Sequence, residues 1–296
     1  MANNTKTPLV WLITGTSSGL GSALVASVLA HGDRVIATSR SLESIKHLET
    51  PDNTDFVRAR ELDVTSGAAV ITATIAEAAG IWGRLDVVVN NAGMGYGGLL
   101  EEGGSDRLRK QFDVNFFGVM DVVSGTLPHM RAQKAGTIVF IGSRTAWKPE
   151  IPGYGASRGL YGSSKAAVHA LADCLASEVA PLNIRVLLVQ PGSFRTAIAR
   201  QPFYTANPIA EYDPYRNLAL TRVMTLMGTE RGDPAKAMEA VVDVVRGEGS
   251  ASGKKWPGNL VLGVDAEADV RAKCKRTLDN LDEWSDVAKA MDFDAN

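Results

Sequence analysis

Short apolar, β-branched runs recur along the chain, separated by stretches whose apolar positions repeat at helical spacing. Leu9–Thr14, Arg34–Thr38, Leu85–Asn90, Thr137–Ile141, Ile184–Val189 and Asn259–Gly263 read as strands; Phe56–Leu62 is a weaker one, interrupted by charges. Most of these runs are apolar at nearly every position instead of alternating, the pattern of strands buried on both faces in a parallel sheet. Helical patterns fill the gaps over Gly19–Ala30, Leu42–Leu48, Ala68–Ala79, Ser105–Ala132, Ser163–Ala180, Pro234–Arg246 and Ala266–Lys289. His31-Gly32 suits a helix stop, glycine taking the left-handed cap and histidine the negative end of the dipole. Strand–helix alternation predicts an α/β fold: one doubly wound domain over residues 1–296, its parallel sheet flanked by helices and wound with right-handed crossovers. Ser193–Gly232 breaks the rhythm. It holds Pro202, Pro208 and Pro214, several aromatics and no clear strand. It reads as a lid containing short helices, with Met224 and Met227 in an apolar patch beneath it.

Composition narrows the function only by exclusion. The 296 residues are 45% hydrophobic and 22% charged, with a formal net charge of -2. That is an ordinary soluble composition and offers nothing to a nucleic acid or an anionic membrane. Cys174 and Cys274 are expected to be free thiols, Cys174 in the core; neither has metal-ligand spacing. His31, His47, His129 and His169 lack ligand spacing too and are expected at surfaces or caps, so no metal is expected. The polar start of the chain and the absence of an apolar run of roughly 20 residues point to the cytoplasm.

Chemistry first appears at the end of the first strand, in Thr14-Gly15-Thr16-Ser17-Ser18-Gly19-Leu20-Gly21. The order is strand, glycine turn, helix. Gly15 permits the turn; Gly19 and Gly21 let backbone approach a pyrophosphate, which the helix N-terminus would receive. The second strand ends in Thr38-Ser39-Arg40. An acidic residue there would suit a ribose 2′-hydroxyl, whereas Arg40 can take a 2′-phosphate with Ser39 donating a hydrogen bond. The expected cofactor is therefore NADP(H).

Several spaced motifs then converge, and from about Pro8 to Gly263 the sequence resembles the classical short-chain dehydrogenases/reductases. Thr14–Gly21 resembles the family's TGxxxGxG loop, Asp63 the residue near the adenine ring, and Asn90-Asn91-Ala92-Gly93 its NNAG segment. Asn115 resembles the helix asparagine of the catalytic tetrad, and Ser143, after the fifth strand, the catalytic serine. Tyr161-Gly162-Ser163-Ser164-Lys165 matches YxxxK. Pro191-Gly192, with Phe194 and Thr196 just beyond, matches the segment that contacts the nicotinamide. The resemblance implies a Rossmann-type sheet, a cofactor-binding part over about residues 8–192, carbonyl/alcohol redox chemistry and a homodimer or homotetramer. It implies also that Lys165 reaches the cofactor ribose and that Asn115 positions a water.

Proton management explains why such chemistry needs these residue types. Ketone reduction makes an alkoxide-like oxygen, and a tyrosine of ordinary pKa near 10 exchanges a proton reluctantly at neutral pH. An ammonium one helical turn away favours the tyrosinate. Ser143 would hold the substrate oxygen near Tyr161 and the nicotinamide. A competing outline, Tyr154-Gly155-Ala156-Ser157-Arg158, has arginine in place of lysine, and Gly159 would interrupt its helix. The stretch from Ser143 to Tyr161 is longer than the family's by a short insertion; it either bulges outward or adds Trp147 and Tyr154 to the substrate wall. Phe194, Phe203, Tyr204, Tyr212 and Tyr215 in the lid suit a small hydrophobic carbonyl substrate. The alternatives are an alcohol dehydrogenase working oxidatively and an NADP(H)-binding regulator without turnover.

Overall fold

A computed structural model describes residues 7–148, 155–196, 203–204 and 206–293. Tyr154, Pro149, Pro152, Gly153 and Pro202 lie outside the described residues.

Seven parallel strands form one sheet: β1 (Val10–Ile13), β2 (Arg34–Ser39), β3 (Val57–Glu61), β4 (Val87–Asn90), β5 (Gly136–Ile141), β6 (Ile184–Pro191) and β7 (Asn259–Leu262). Their order is β3-β2-β1-β4-β5-β6-β7. The winding thus reverses between β1 and β4, the point at which doubly wound sheets open a crevice at the carboxyl ends of their strands. Alternate strand residues feed two cores. Val139 and Ile141 pack with Leu24, Val25 and Val28 of α1 (Gly19–Ala30) and with Met238, Val241 and Val242 of α7 (Pro234–Arg246). Ile138 and Phe140 face α2 (Ala68–Trp82), α4 (Gly118–Gln133) and α5 (Gly155–Val179), through residues such as Ile75, Val122 and Val168. Burial on both faces explains the continuous apolar runs; each fully buried Val, Leu or Ile contributes about 1.5–3 kcal/mol.

Some elements differ from expectation. Residues 42–48 form two 3₁₀ turns, Leu42–Ser44 and Lys46–Leu48, divided at buried Ile45. The long helix expected over 105–132 begins earlier, as α3 (Leu100–Phe112), kinks at Gly104 with φ 57°, and joins α4 through a π-helical turn at Asp113–Phe117. α5 starts before Tyr161 and runs through Gly159. That glycine does not break the helix, because tertiary packing decides: a Cβ there would lie 2.9 Å from Leu100 Cγ, so it lets α3 approach α5. The lid contains α6 (Asp213–Leu226), and the C-terminal helix divides at Trp284 into α8 (Val264–Glu283) and α9 (Ser285–Lys289). Cys174 is exposed, as are Met224 and Met227, so these methionines form no patch beneath the lid. Among the described residues, no helix is long and apolar enough to cross a membrane.

Candidate active site

The expected site residues gather at the carboxyl edge of the sheet, around the switch between β1 and β4. Gly15 has φ +71°, and a Cβ there would sit 2.8 Å from Ala92 Cα; both facts require glycine. A Cβ on Gly21 would collide with the Gly15 carbonyl oxygen and with Asn91 Nδ2. The loop is tied to β4 by two side chains. Thr14 Oγ1 donates to Val89 O (3.2 Å) and accepts from Asn91 N (3.0 Å) and Ala92 N (2.9 Å). Asn91 Nδ2 donates to the carbonyls of Thr14 and Gly15 at 2.8 and 2.9 Å. Asn91 therefore shapes the glycine loop with its side chain. Ser17 and Ser18 are exposed, Leu20 is half-buried, and α1 starts without a side-chain cap or an acid in its first turn. That leaves its positive end suited to an anion.

Along the same edge, Arg40 is exposed, whereas Ser39 is buried with its hydroxyl 3.1 Å from that of Ser44. Asp63 accepts both Thr65 N and Thr65 Oγ1 at 2.8 Å through one carboxylate oxygen, keeping the other clear of that turn.

Tyr161 and Lys165 are buried one turn apart on α5. Lys165 Nζ lies 5.9 Å from the Tyr161 ring centre and donates to the Ile141 carbonyl at 2.6 Å. Burial pushes its pKa down to about 8, because the low-dielectric surroundings disfavour the charged form. Asn115 is fully buried in the π turn. Its Oδ1 accepts from Met94 N (2.9 Å), and its Nδ2 donates to Met94 O (2.9 Å) and Ser164 Oγ (3.0 Å). Gly93 keeps the gap open: a Cβ there would stand 3.4 Å from Asn115 Oδ1 and 3.6 Å from Lys165 Nζ.

Ser143 caps the 3₁₀ turn Arg144–Trp147. Its Oγ accepts from Thr145 N (3.1 Å) and donates to Thr145 Oγ1 (3.0 Å). Its backbone N–H donates to His169 Nε2 at 3.2 Å. Burial, and then the Lys165 charge, push His169 down to about pKa 4, so it stays a neutral acceptor. This residue was expected at a surface or cap. A signal existed, since it lies four after Lys165 and shares its helix face.

A second support has no local sequence signal. Arg144 pairs with Asp265 and Asp269, both at 2.9 Å, and donates to Ser193 Oγ at 2.8 Å. Lys148 pairs with Asp269 at 2.9 Å. Asp265 accepts Ser193 N at 2.9 Å, and a Cβ on Gly192 would collide with it. Burial opposes ionisation of Asp265, yet Ser193 N–H and the Arg144 guanidinium outweigh it and hold the carboxyl below its usual range. These contacts fix the loops after β5 and β6, including Pro191-Gly192, to the first turns of α8. Beyond them, Phe194 packs on Gly232 and the core, and Thr196 sits 3.4 Å from where a Gly19 Cβ would be. The segment after β6 therefore arches over the glycine loop.

Trp147 is beside His169, ring centres 6.3 Å apart, with its indole N–H on Gln190. The lid is anchored by Arg216 on buried Glu102 and by Tyr204 N on Gly97 O at 2.9 Å. A groove of about 500 Å³ is lined by Leu99, Ala146, Gly159, Ser163, Tyr212 and Tyr215. Tyr161 and Lys165 are not among its lining residues.

The chain is similar to known proteins over most of its length. The family model for short chain dehydrogenase matches residues 9–206. A Botryotinia fuckeliana oxidoreductase is 32% identical, with 95% of this chain and 98% of that protein covered. A 3-ketodihydrosphingosine reductase of Bacteroides thetaiotaomicron is 38% identical over 64% of this chain, and the match spans 65% of that protein. A Streptomyces avermitilis short-chain dehydrogenase superposes with a TM-score of 0.83 at 34% identity, covering 97% of this chain and 100% of that one. The chain belongs to the short-chain dehydrogenase/reductase family of oxidoreductases.

Proposed function

We propose that the protein is an NADP(H)-dependent oxidoreductase that interconverts a ketone or aldehyde with an alcohol on a small hydrophobic substrate. The observation that carries this reading is the buried Tyr161–Lys165 pair, one turn apart. Its residues also fit a dinucleotide: a glycine cradle that a Cβ would fill, an uncapped α1 N-terminus, and exposed Arg40 at the end of β2. Asp63, Asn91, Ala92, Gly93 and the Pro191–Thr196 segment would line the rest of that binding site. When bound, the nicotinamide supplies or accepts the hydride.

The protein's own residues manage the proton. In reduction, Tyr161 gives its phenolic proton to the former carbonyl oxygen, and the Lys165 ammonium favours the tyrosinate left behind. Ser143 turns its hydroxyl from Thr145 Oγ1 to the same oxygen and holds it in place. Asn115 fixes the Met94 backbone beside Lys165 and would hold the water through which that lysine is reprotonated. Alcohol oxidation uses these steps in reverse. The ketone-reducing name of the Bacteroides relative agrees with this reading, and family resemblance suggests a homodimer or homotetramer.

The test is turnover of a carbonyl panel with NADPH and with NADH. Tyr161→Phe should lower kcat by about 10²- to 10⁴-fold; full turnover in that variant would sink the mechanism. Arg40→Asp should move the preference toward NADH, and an unchanged preference would return Arg40 to the role of a solvated loop residue.

A further inference from the structure

The last helices leave the body of the protein. From Arg271 to Phe293 every residue is exposed except Lys273 and Ser285. α8 meets the body through the Arg144–Trp147 turn and β7, close to its own start. Beyond that root, Leu278 and Leu281 of α8, Trp284 between the helices, Val287 of α9 and Met291 after it are each 54–73% exposed. Their spacing of three or four residues makes an apolar stripe. In proteins most of a helix's stability comes from packing such a stripe.

Charge along the same helix identifies what packs there. Arg271, Lys273, Lys275 and Arg276 form a basic block with no acid between them. Asp279, Asp282, Glu283 and Asp286 form an acidic block with no base between them. Two such helices side by side in parallel would set like charges together. In antiparallel, each basic block faces the other's acidic block, with Leu278 and Leu281 at the centre. The intrahelical pairs of Arg271 with Glu267 and Lys275 with Asp279 are solvent-exposed and weak, so they exchange readily for pairs across an interface. Acids outnumber bases from Val264 onward, which disfavours an anionic bilayer as the partner.

We propose that α8 and α9 pair antiparallel with the same helices of a second copy of this chain. The inference is independent of the proposed chemistry. It has a consequence for the site, because the root of α8 carries Asp265 and Asp269, which hold Arg144 and Ser193.

Sedimentation velocity on the full chain, up to about 100 µM, tests this. The wild type should form an assembly that halves in size in Lys275→Glu/Arg276→Glu and in Asp282→Lys/Glu283→Lys, each weakening association by about tenfold or more. Mixing the two variants should restore the assembly, since the acids introduced at positions 275 and 276 of one copy then face the bases introduced at 282 and 283 of the other. Unchanged thermal melts of both variants show that the body still folds. A monomeric wild type, an assembly indifferent to both variants, or a mixture that fails to rescue would each overturn the proposal. So would binding of the wild type to phosphatidylcholine vesicles that Leu281→Lys abolishes, which assigns the stripe to lipid.

Discussion

Thr14→Val removes one hydroxyl and keeps the side-chain shape, so it isolates what that hydroxyl does. Thr14 is 1% exposed, at the point where β1 and β4 part. Three hydrogen bonds go with its Oγ1, but their losses are unequal. Val89 O still accepts from Thr14 N (3.1 Å) and Asn91 N (3.0 Å), so neither Val89 O nor Asn91 N is orphaned. Among the described residues Ala92 N has no such second bond, its 2.9 Å contact being with Thr14 Oγ1. An orphaned donor costs about 1–3 kcal/mol and a weakened bond about 1 kcal/mol or less, so the expected loss is about 2–3 kcal/mol. With an unfolding entropy of about 2.1 cal/mol/K per residue over 296 residues, Tm should fall by about 3–5 °C. The Ala92 backbone abuts Gly15, so NADPH affinity should fall as well. Thermal melts with and without NADPH measure both effects, and Thr14→Ser, which keeps the hydroxyl, should recover most of each. A valine variant that melts within about 1 °C of wild type and binds NADPH equally would refute the argument.

Other expectations follow from the titrating groups. His31 bridges Glu239 (2.8 Å) and Glu248 (2.9 Å). Burial alone would lower its pKa, but the two carboxylates raise it above the ordinary 6.5. Its stabilising contribution is therefore complete below pH 6.5 and disappears as pH rises through the raised folded value. His31→Gln should cost more stability in urea melts at about pH 5.5 than at about pH 9, and equal losses would contradict the bridge. At the candidate site, kcat/KM for NADPH, which reports the free enzyme, should bend downward as Lys165 loses its charge near pH 8. A profile flat across that value would show that the charge does no work there.

What the sequence disclosed depends on how local each signal is. The central strands were legible because helices cover both sheet faces and leave no room for polar positions. β3 was weaker since it is the edge strand, with Arg58 and Arg60 only partly covered. Tyr161 and Lys165 were legible because one helical turn links them, and the glycine loop because strand, turn and helix are consecutive. Helix continuity through Gly159 was not legible, since it depends on Leu100, far away in the chain. The same holds for Arg144, whose partners Asp265 and Asp269 come from a helix more than a hundred residues later. The division at Trp284 had no breaker residue to announce it.

Several side chains whose roles sequence reasoning did not assign hold backbone at or beside the residues it found. Thr14 holds Ala92, Asp265 holds Ser193, and His169 holds Ser143. The last case has a protonation requirement. To accept from Ser143 N, His169 Nε2 must carry no proton, and burial, together with the nearby Lys165 charge, keeps it neutral down to about pH 4. The charge proposed to assist Tyr161 thus also preserves the hydrogen bond that positions Ser143. An unfolded histidine gains its proton below 6.5, whereas the folded one gains it only near 4. His169 therefore draws the chain toward unfolding across that interval. His169→Phe should relieve this acid sensitivity while orphaning Ser143 N. Stability at low pH and the placement of Ser143 are opposed in this one side chain.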